Sequence, residues 1–567
     1  METGQRPDLH DSIAGLFVER VEASLGEVAL WTRPSTEDAH FQATTWEELL
    51  REVWHSVVVL EQVGVRPTNR VAHYAENSQN WIVVDLALHL LGAWHVPIGL
   101  HGSQELQDAI HNHCQPDFSI YAEEHQHNSQ RWMIHSGDTS QEAPGLALDD
   151  LIAQIPAAST NDMLANLRQR WQQLDPDSVC SLVYTSGTTG GPKGVMITHR
   201  NLASNAMALV KTYEEKPADR RLSFLPFSHL FARTCDVYTW IARGSQLALA
   251  ASRETILADC QAIQPTLING VPYFYQKVVE GLQRNGKLQS PGSLKSALGG
   301  AIRMCTSGGA PLPQFVIEAF ERQRILLCEG YGLTETSPVI TVSTEEANRP
   351  GSVGKPLPGV EIRTTQAGEI ETRGPHVMAG YYQDDEATRQ IMDDGWLRTG
   401  DLGLIDHDGF LWITGRKKEI LVLSTGRNVS PGALEVAISS HPLVAQVVVC
   451  GEGRKCLSAL MVPDPDELRR RIQESKLWVF SKQQALRHPT VRQWFREALE
   501  CQLANRADYE QVGPFTILGQ SFTPDSGEMT AKLSLRRDAI LKNYHDTIEQ
   551  MYRGKEVSSS WWRSLMP

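Results

Sequence analysis

The stretch from Tyr184 to Gly194, which reads YTSGTTGGPKG, combines residue types that bind anions. Its eleven residues include four glycines, three threonines, one serine and one lysine, Lys193. Glycines let several backbone N–H groups converge on one point, because no Cβ atom stands in the way. The hydroxyls and the lysine ammonium add further donors for phosphate oxygens. The composition therefore predicts a loop that binds phosphate.

This glycine-rich loop differs from a Walker A loop. A Walker A loop carries serine or threonine directly after Gly-Lys, whereas Lys193 lies between Pro192 and Gly194. Apolar runs typical of strands lie on both sides of the loop, SLVY before it and VMI after it. The following segment, THRNLASNAMALVK, is predicted to be a helix with Thr198 as its N-cap. We therefore expect a strand, the loop, a second strand and a helix in that order.

Four more segments with chemically active side chains follow along the chain. They are SGGAP at 307–311, GYGLTE at 330–335, GWLRTGD at 395–401 and GRKKE at 415–419. Together with the glycine-rich loop, and in this order, they resemble the motifs of the acyl-adenylate-forming enzymes, which include acyl-CoA synthetases, nonribosomal adenylation domains and luciferases. The resemblance covers almost the whole chain. The segments LPFSHLFARTCDVY and LSLRRDAILKNYHDTIEQMY are most similar to those of AMP-forming long-chain fatty acyl-CoA synthetases.

The resemblance implies a reaction in two steps. The carboxylate of an acid attacks the α-phosphorus of ATP, which forms an acyl-AMP and releases pyrophosphate. A thiol then displaces AMP. Because the substrates supply both nucleophiles, no Ser-His-Asp triad is required, and the protein must provide positioning and charge stabilisation.

The same resemblance assigns the nucleotide contacts residue by residue. The residues that would hold the β- and γ-phosphates are Thr185, Ser186, Gly187, Thr188, Thr189, Gly190 and Lys193. The residues that would surround the adenine are Tyr331 on one side, the backbone of Gly308, Gly309 and Ala310 on the other, and Gly330 and Gly332.

Four side chains would act on the rest of the nucleotide. The resemblance implies that Thr334 bonds the α-phosphate and that Glu335 holds Mg²⁺, whose hard charge suits carboxylate and phosphate oxygens. Asp401 would accept both ribose hydroxyls, with Arg416 assisting there. Each residue type is also common in turns and on surfaces, and the ordered set of motifs favours the functional interpretation.

His229, in the segment FSHLF, matches the family position beside the nascent acyl phosphate and is predicted to be catalytic. A lone histidine in an apolar run is also consistent with a core residue. The same segment, with NGVPYFYQ at 269–276, would line the tunnel for the acyl chain. An aromatic cluster there is equally compatible with an ordinary core.

The C-terminal region is predicted to be a small domain that rotates as a lid, as it does in the family. The hinge would be Lys418, a charged residue that stays solvated in both arrangements. The family's C-terminal catalytic lysine is displaced here, because alignment of the arginine pair places Ser534 where a lysine is expected. Lys532 is two residues earlier, and residues two apart in an extended segment point to the same face. We therefore predict that Lys532 neutralises charge during adenylation.

The elements that must position these residues follow an α/β pattern. Up to about residue 360, short apolar runs alternate with helical patterns, which predicts stacked α/β subdomains. From about 350 to 415 the chain is rich in turns, with DG and AG dipeptides that indicate β-hairpins. A new alternation after 415 indicates a mobile α+β domain. We predict an N-terminal AMP-binding and acyl-binding region at 1–414 and a lid domain at 415–567.

Length and composition agree with this organisation. The chain has 567 residues, which indicates more than one domain. The apolar fraction of 41% and the charged fraction of 21% are typical of soluble globular proteins, and the net charge of −14 argues against a nucleic-acid partner. Nine cysteines at irregular spacing form no CxxC pair, which predicts reduced thiols in a cytoplasmic protein.

The sequence predicts neither a signal peptide nor a membrane span. The opening METGQRPDLHDS is polar. The longest apolar region, Trp81 to Leu100, contains Asp85 and Pro97 and reads as a buried helix that runs into a strand. Trp561 and Trp562 near the C-terminus leave open a peripheral contact with a membrane, although a packed or frayed tail is favoured.

These patterns and the resemblance predict an AMP-forming long-chain fatty acid–CoA ligase that uses fatty acid, ATP, Mg²⁺ and coenzyme A. Two alternatives stay open. One is a fatty acyl-AMP ligase that transfers its product to an acyl carrier protein. The other is a catalytically weak homologue that binds acyl chains or nucleotides, which Ser534 makes conceivable.

Overall fold

The structure is a computed structural model that describes residues 9–33, 40–100, 103–125, 129–136, 146–186, 191–523, 526–529 and 535–553. Several residues of the sequence predictions lie outside the described residues. They are Gly187, Thr188, Thr189, Gly190, Lys532, Ser534, Trp561 and Trp562.

Most helices lie in the first two thirds of the chain. In chain order the α-helices are α1 (Ile13–Ser24), α2 (Trp46–Gln62), α3 (Gln79–Leu91), α4 (Gln104–Cys114), α5 (Leu148–Ile152), α6 (Thr160–Trp171), α7 (His199–Thr212), α8 (Leu230–Ala232), α9 (Thr239–Arg243), α10 (Ile256–Ile263), α11 (Pro272–Arg284), α12 (Ser293–Ala297), α13 (Gln314–Arg322), α14 (Asp385–Ile391), α15 (Pro431–Ser439), α16 (Pro465–Glu474), α17 (Lys482–Arg487), α18 (Pro489–Leu503), α19 (Arg537–Asn543) and α20 (His545–Arg553). The segment Arg233–Tyr238, between α8 and α9, is a π-helix.

The strands are spread along the described chain. In chain order they are β1 (Val28–Thr32), β2 (Gln42–Thr45), β3 (Arg70–Tyr74), β4 (Trp94–Ile98), β5 (Phe118–His125), β6 (Ser129–Ser136), β7 (Leu146–Ala147), β8 (Val179–Ser186), β9 (Pro192–Thr198), β10 (Arg220–Ser223), β11 (Gln246–Leu249), β12 (Leu267–Gly270), β13 (Met304–Ser307), β14 (Leu326–Gly332), β15 (Val339–Val342), β16 (Lys355–Pro356), β17 (Glu361–Thr364), β18 (Glu369–Arg373), β19 (Gly380–Tyr381), β20 (Met392–Asp393), β21 (Trp396–Ile405), β22 (Leu411–Arg416), β23 (Leu421–Val422), β24 (Asn428–Val429), β25 (Val444–Cys450), β26 (Leu457–Pro463) and β27 (Val512–Ile517).

Two large sheets form the N-terminal part of the described chain. One has the order β19-β9-β8-β4-β3-β5-β6-β7, with a parallel centre of β8, β4, β3 and β5. The other has the order β16-β15-β14-β13-β12-β10-β11-β1-β2, with a parallel centre from β14 to β1. Every side chain of α3 from Trp81 to Leu91 is buried, as expected for a helix enclosed by other elements. These sheets confirm the predicted stacked α/β subdomains, and the apolar run from Trp81 is indeed a helix followed by strand β4.

A third sheet confirms the turn-rich β prediction. It has the order β17-β18-β21-β20. The fifth strand, β22, pairs with β21, and the hairpin turn that joins these two strands contains Gly409. The described residues after 420 form two smaller sheets, β23-β24 and β25-β26-β27, with a separate core of apolar side chains around Leu434, Val447 and Phe495. The fold class is therefore confirmed: a large α/β and β-rich region followed by a smaller α+β domain. The exact boundary between 414 and 415 stays a prediction.

The predicted strand, loop, strand and helix unit is present around the glycine-rich loop. Strands β8 and β9 are antiparallel, with Tyr184 opposite Gly194 and Thr185 opposite Lys193. Helix α7 begins directly after β9, and the side chain of Thr198 accepts a hydrogen bond from the backbone N–H of Asn201. This cap satisfies one of the N–H groups that the first turn of a helix leaves unpaired. The cap joins the end of β9 to the first turn of α7.

The nine cysteines are all unpaired thiols, as the sequence predicted. Seven are buried, Cys456 is partly buried and Cys501 is exposed on α18. Within the described residues, no helix combines the length and the apolar character needed to cross a membrane.

The core of the N-terminal region contains a stack of two tryptophans. The rings of Trp46 and Trp240 are fully buried with centroids 4.7 Å apart, and the indole N–H of Trp240 donates to the carbonyl of Ala29 at 3.0 Å. The stack joins α2 to α9 and strand β1. Trp46 and Trp240 are 194 positions apart in sequence, and Trp240 and Ala29 are 211 apart.

We expect Trp46→Ala to lower the free energy of unfolding by about 3–5 kcal/mol, because it removes a large buried ring and leaves a cavity. Urea denaturation followed by circular dichroism measures the change. Leu257→Ala, at a residue 45% exposed on α10, is the control and should shift the free energy by about 0.5 kcal/mol or less. Equal shifts for the two variants would contradict the assignment of Trp46 to the core.

Candidate functional site

Asp401 is the centre of one part of the candidate site. It lies on β21, is 5% exposed, and stands opposite Arg416 in the antiparallel register of β21 and β22. Its Oδ1 accepts a hydrogen bond from Nε of Arg416 at 2.8 Å, and its Oδ2 accepts one from the hydroxyl of Tyr331 at 2.8 Å. The structure thus brings together three residues that the sequence analysis assigned to the adenine and ribose.

The hydrogen bond from Tyr331 fixes the carboxylate. Burial, reinforced by the Asp401 carboxylate, raises the pKa of Tyr331 well above its usual value. The phenol therefore keeps its proton and donates a hydrogen bond to the carboxylate. Arg416 remains half exposed and brings positive charge to the other oxygen. A carboxylate oxygen has lone pairs for more than one donor, so Asp401 retains acceptor capacity for two hydroxyl groups. The arrangement suits a vicinal diol such as a ribose.

Glu335 and Lys193 form a second part of the site. Glu335 lies on the 3₁₀ turn Thr334–Thr336 after β14, and its Oε1 accepts a hydrogen bond from the hydroxyl of Tyr381 at 2.7 Å. Nζ of Lys193 lies 4.8 Å from the ring centroid of Tyr381. The ring of Tyr381 therefore lies between the lysine of the glycine-rich loop and the predicted metal-binding carboxylate.

Sequence reasoning missed Tyr381. It lies on β19, which pairs with β9 so that Tyr381 stands opposite Val195. Burial raises the pKa of Tyr381 above its usual value, with Glu335 as the next cause, so the hydroxyl remains a donor to the carboxylate. The aromatic pair GYY at 380–382 is the signal that was available, but a tyrosine pair after a hairpin is more often ordinary packing.

The turn after β13 carries Gly308, Gly309 and Ala310, which the sequence analysis placed beside the adenine. Gly309 has φ +83°, and a Cβ atom added at Gly308 would lie 3.3 Å from Cζ of Phe231. The segment with His229 and Phe231 thus packs against this turn. His229 is partly buried and precedes the short helix α8.

Glycine is required at Gly332 by a close approach of backbone atoms. A Cβ atom at this position would lie 1.8 Å from the carbonyl oxygen of Pro338, a distance at which atoms overlap. Strand β14 therefore passes tightly beside the chain that returns after the Glu335 turn. Gly330, two residues earlier, pairs with Val342 of β15. Together these glycines let the turn that carries Thr334 and Glu335 fold back on β15.

The predicted hinge, Lys418, lies on the 3₁₀ turn Lys417–Glu419 that follows β22 directly. Its neighbour Lys417 donates from Nζ to Oε2 of Glu369 on β18 at 2.7 Å. A second pair, Arg284 with Asp466 at 2.9 Å, connects α11 to α16. Of these two pairs, Arg284 with Asp466 is about half exposed on both sides and individually weak, whereas Lys417 is half exposed and its partner Glu369 is largely buried.

The ends of the segment that contains Lys532 are described. Met529 forms an antiparallel bridge with Leu535, and the N–H of Arg536 donates to the carbonyl of Glu528 at 2.7 Å. Arg537 donates to Glu435 at 2.5 Å and to the carbonyl of Val449 at 2.7 Å. These contacts place Met529, Leu535 and Arg537 on the body of the C-terminal domain; Lys532 itself lies outside the described residues.

The donor set around Glu335 fits a hard cation. Carboxylate and hydroxyl oxygens are the ligands that Mg²⁺ prefers, and both are present here in Glu335 and Thr334.

Two family models match the chain. The family described as AMP-binding enzyme matches residues 18–382, and the one described as AMP-binding enzyme C-terminal domain matches residues 418–556. The long-chain-fatty-acid–CoA ligase FadD15 of Mycobacterium bovis is 29% identical, over 96% of this chain and 97% of its own. The chloroplastic long-chain-fatty-acid–[acyl-carrier-protein] ligase AEE15 of Arabidopsis thaliana is 28% identical, over 90% of this chain and 82% of its own.

Solved structures share the fold. The adenylation domain of a carboxylate reductase from Mycobacterium chelonae has a TM-score of 0.73 at 21% identity, and the alignment covers 98% of this chain and 92% of that one. ATP-bound MatB from Rhodopseudomonas palustris has a TM-score of 0.69 at 24% identity, with 94% and 99% covered. Because one family match spans more than half of the sequence and a second covers the smaller domain, the chain belongs to the family of AMP-binding enzymes.

Proposed function

We propose that the protein is an ATP-dependent long-chain fatty acid–CoA ligase that works through an acyl-AMP. The observation that carries the proposal is the oriented carboxylate of Asp401, whose two oxygens are held by Tyr331 and Arg416. A carboxylate that is buried, charged and fixed on both sides is suited to two charge-assisted hydrogen bonds from ribose hydroxyls. The acid is proposed from relatives that are named long-chain-fatty-acid–CoA ligases.

The remaining residues would divide the work of adenylation. Lys193 and the backbone of the glycine-rich loop would hold the phosphates that leave as pyrophosphate. Thr334 would donate to the α-phosphate, and His229 would lie beside the acid. When bound, Mg²⁺ would be held by Glu335 and would neutralise phosphate charge. Tyr381 would keep Glu335 oriented for that task, because its hydroxyl bonds one carboxylate oxygen at 2.7 Å.

A second candidate differs only in the thiol that accepts the acyl group. The relative from Arabidopsis is named a ligase for acyl carrier protein, and its similarity also extends over most of this chain. Both candidates require the same acyl-AMP. The choice therefore depends on the surface that receives the thiol, and not on the nucleotide site.

The test is a pyrophosphate-release assay with a panel of fatty acids, followed by product analysis with either free coenzyme A or acyl carrier protein. We expect release that depends on a long-chain acid, and an acyl-CoA product. An acyl-carrier-protein product without acyl-CoA would establish the second candidate. Absence of release with every acid, in protein that still binds ATP, would mean that this is a binding protein and would refute both ligase activities.

We expect Asp401→Ala to weaken ATP binding because two charge-assisted hydrogen bonds to the ribose are lost, at about 1.5–3 kcal/mol each. Isothermal titration with ATP measures the change. Tyr331→Phe is the matched variant, since it keeps the ring and removes only the hydroxyl that orients Asp401. It should weaken binding by less. Unchanged ATP affinity in a folded Asp401→Ala variant would remove Asp401 from the site.

We expect Lys532→Ala to slow acyl-AMP formation by about 10²–10³-fold, the usual effect of one lost electrostatic contact to a transition state. Thioester formation from supplied acyl-AMP should continue, because that half-reaction uses another lid arrangement. Ser534→Lys in the same background should recover much of the rate if the segment is extended, as the sequence predicts, because residues two apart then share one face. Full adenylation by Lys532→Ala alone would assign the charge to another cation.

A further inference from the structure

A buried ion pair lies at the interface between the strand of the glycine-rich loop and the segment that carries His229. Asp85 on α3 and Arg233 at the start of the π-helix are both 0% exposed, and Nη2 of Arg233 bonds Oδ1 of Asp85. Nη1 of Arg233 donates to Oγ of Ser181 on β8 at 2.8 Å. One guanidinium thus holds a helix, a strand and the π-helix together.

The pair is neutral as a unit and fully enclosed. Nδ1 of His95 lies 2.7 Å from Oδ1 of Asp85, and Tyr238 donates to Oδ2 at 3.0 Å. Burial lowers the pKa of His95 to about 4, with the Arg233 charge as the next cause, so this imidazole is neutral near pH 7. The local charges are then one carboxylate and one guanidinium. Such a pair is costly to desolvate, and apolar residues of similar volume often stabilise a fold equally well.

The position of the ion pair suggests a role other than adding stability to the fold. Ser181 stands opposite His95 in the sheet, and three residues later β8 reaches Tyr184, where the glycine-rich loop begins. On the other side, Arg233 is four residues from His229 and two from Phe231, which packs on the turn at Gly308. The guanidinium therefore sets the distance between the phosphate-binding strand and the segment beside the acid.

Other side chains of the π-helix also form hydrogen bonds to distant elements. The hydroxyl of Thr234 donates to the carbonyl of Ser337 at 3.0 Å, two residues after Glu335. Asp236 accepts from Ser223 of β10 and from Asn269 of β12, each at 2.6 Å. The π-helix is thus bonded to the first large sheet, to the Glu335 turn and to the second large sheet. Short π-helical segments occur often at functional sites, where they redirect side chains.

We propose that Arg233, held by Asp85, is a positioning residue for adenylation: it fixes the glycine-rich loop and the Glu335 turn relative to the segment that carries His229. It touches neither substrate. Its effect is on alignment of the acid with the α-phosphate, and a misplacement of about 1 Å can cost about 10²-fold in rate. The inference rests on the proposed function for the identity of the reaction, and on the contacts above for the geometry.

The test uses the double variant Arg233→Met, Asp85→Asn, which removes both charges together and leaves no buried ion unpaired. We expect a folded protein whose kcat for pyrophosphate release falls about 10²-fold, while KM for ATP changes little because Asp401 and Tyr331 are untouched. Thioester formation from supplied acyl-AMP should remain close to wild type. A merely structural role would lower both half-reactions in parallel through loss of folded protein, and that result would overturn the proposal, as would normal adenylation.

Two further variants test whether the effect depends on the charge of Arg233 alone, or on the loss of any buried ion pair. Arg233→Lys keeps the charge but lacks the planar fork that reaches Asp85 and Ser181 together, so its adenylation should also fall. Arg33→Met, Asp259→Asn is the matched control. It removes another buried ion pair, 2.8 Å apart with side chains 8% and 0% exposed, that joins the end of β1 to α10. Adenylation should be retained in this control. Full activity of Arg233→Lys would show that charge alone suffices.

Hydrogen exchange tests the positioning role of Arg233 without enzymatic turnover, so its result does not depend on which acid is the substrate. Hydrogen exchange of the wild type with and without ATP should show protection at 184–186, 191–194 and 395–401. In the double variant ATP should still bind, and protection at 184–186 and 191–194 should fall relative to protection at 395–401. If wild type fails in every acid assay but this pattern holds, the proposed reaction is wrong and the positioning role stands. Equal protection of both segments in the double variant would refute the positioning role.

Discussion

The antiparallel register of β21 and β22 determines how the site meets the second domain. It places Asp401 opposite Arg416, so that two residues fifteen positions apart form one ion pair at 2.8 Å. The strand that supplies Arg416 continues into Lys417, which bonds Glu369, and then into Lys418. A shift of one residue would turn these side chains to the opposite face of the sheet. One hairpin thus holds the Asp401 carboxylate and also leads directly into the turn that contains Lys418.

The charge pairs on the two sides of the site differ in physical character. The pair between Lys417 and Glu369 joins a lysine side chain that is 56% exposed to a carboxylate side chain that is 9% exposed, so its cationic end is solvated while its acidic end is largely enclosed. The pair between Arg233 and Asp85 is fully enclosed, and neither partner can leave without an uncompensated buried charge. The first pair is therefore partly solvated, whereas the second is fully enclosed between the strand that leads to the glycine-rich loop and the segment that carries His229.

Much of the fold and part of the site could be predicted from local sequence. The N-cap at Thr198, the hairpins at AG and DG, and the buried helix before β4 depend on neighbouring residues, and the structure confirms them. The sequence analysis placed Tyr331 and Asp401 in the same nucleotide site but did not predict the hydrogen bond between them. The roles of Tyr381 and Arg233 could not be predicted, because their partners are 46 and 148 residues distant and depend on the pairing of sheets.

The distribution of cysteines has a consequence for studying motion in this protein. Burial raises the pKa of Cys114 and Cys450 to about 12, so these thiols are poor nucleophiles towards alkylating reagents at neutral pH. Cys501 alone among the nine is exposed, and it lies on α18 of the smaller domain. A maleimide dye would therefore react most readily at Cys501, with the partly buried Cys456 as the next most accessible thiol. The wild-type chain thus already carries a native labelling position on the smaller domain, from which fluorescence can test whether that domain moves.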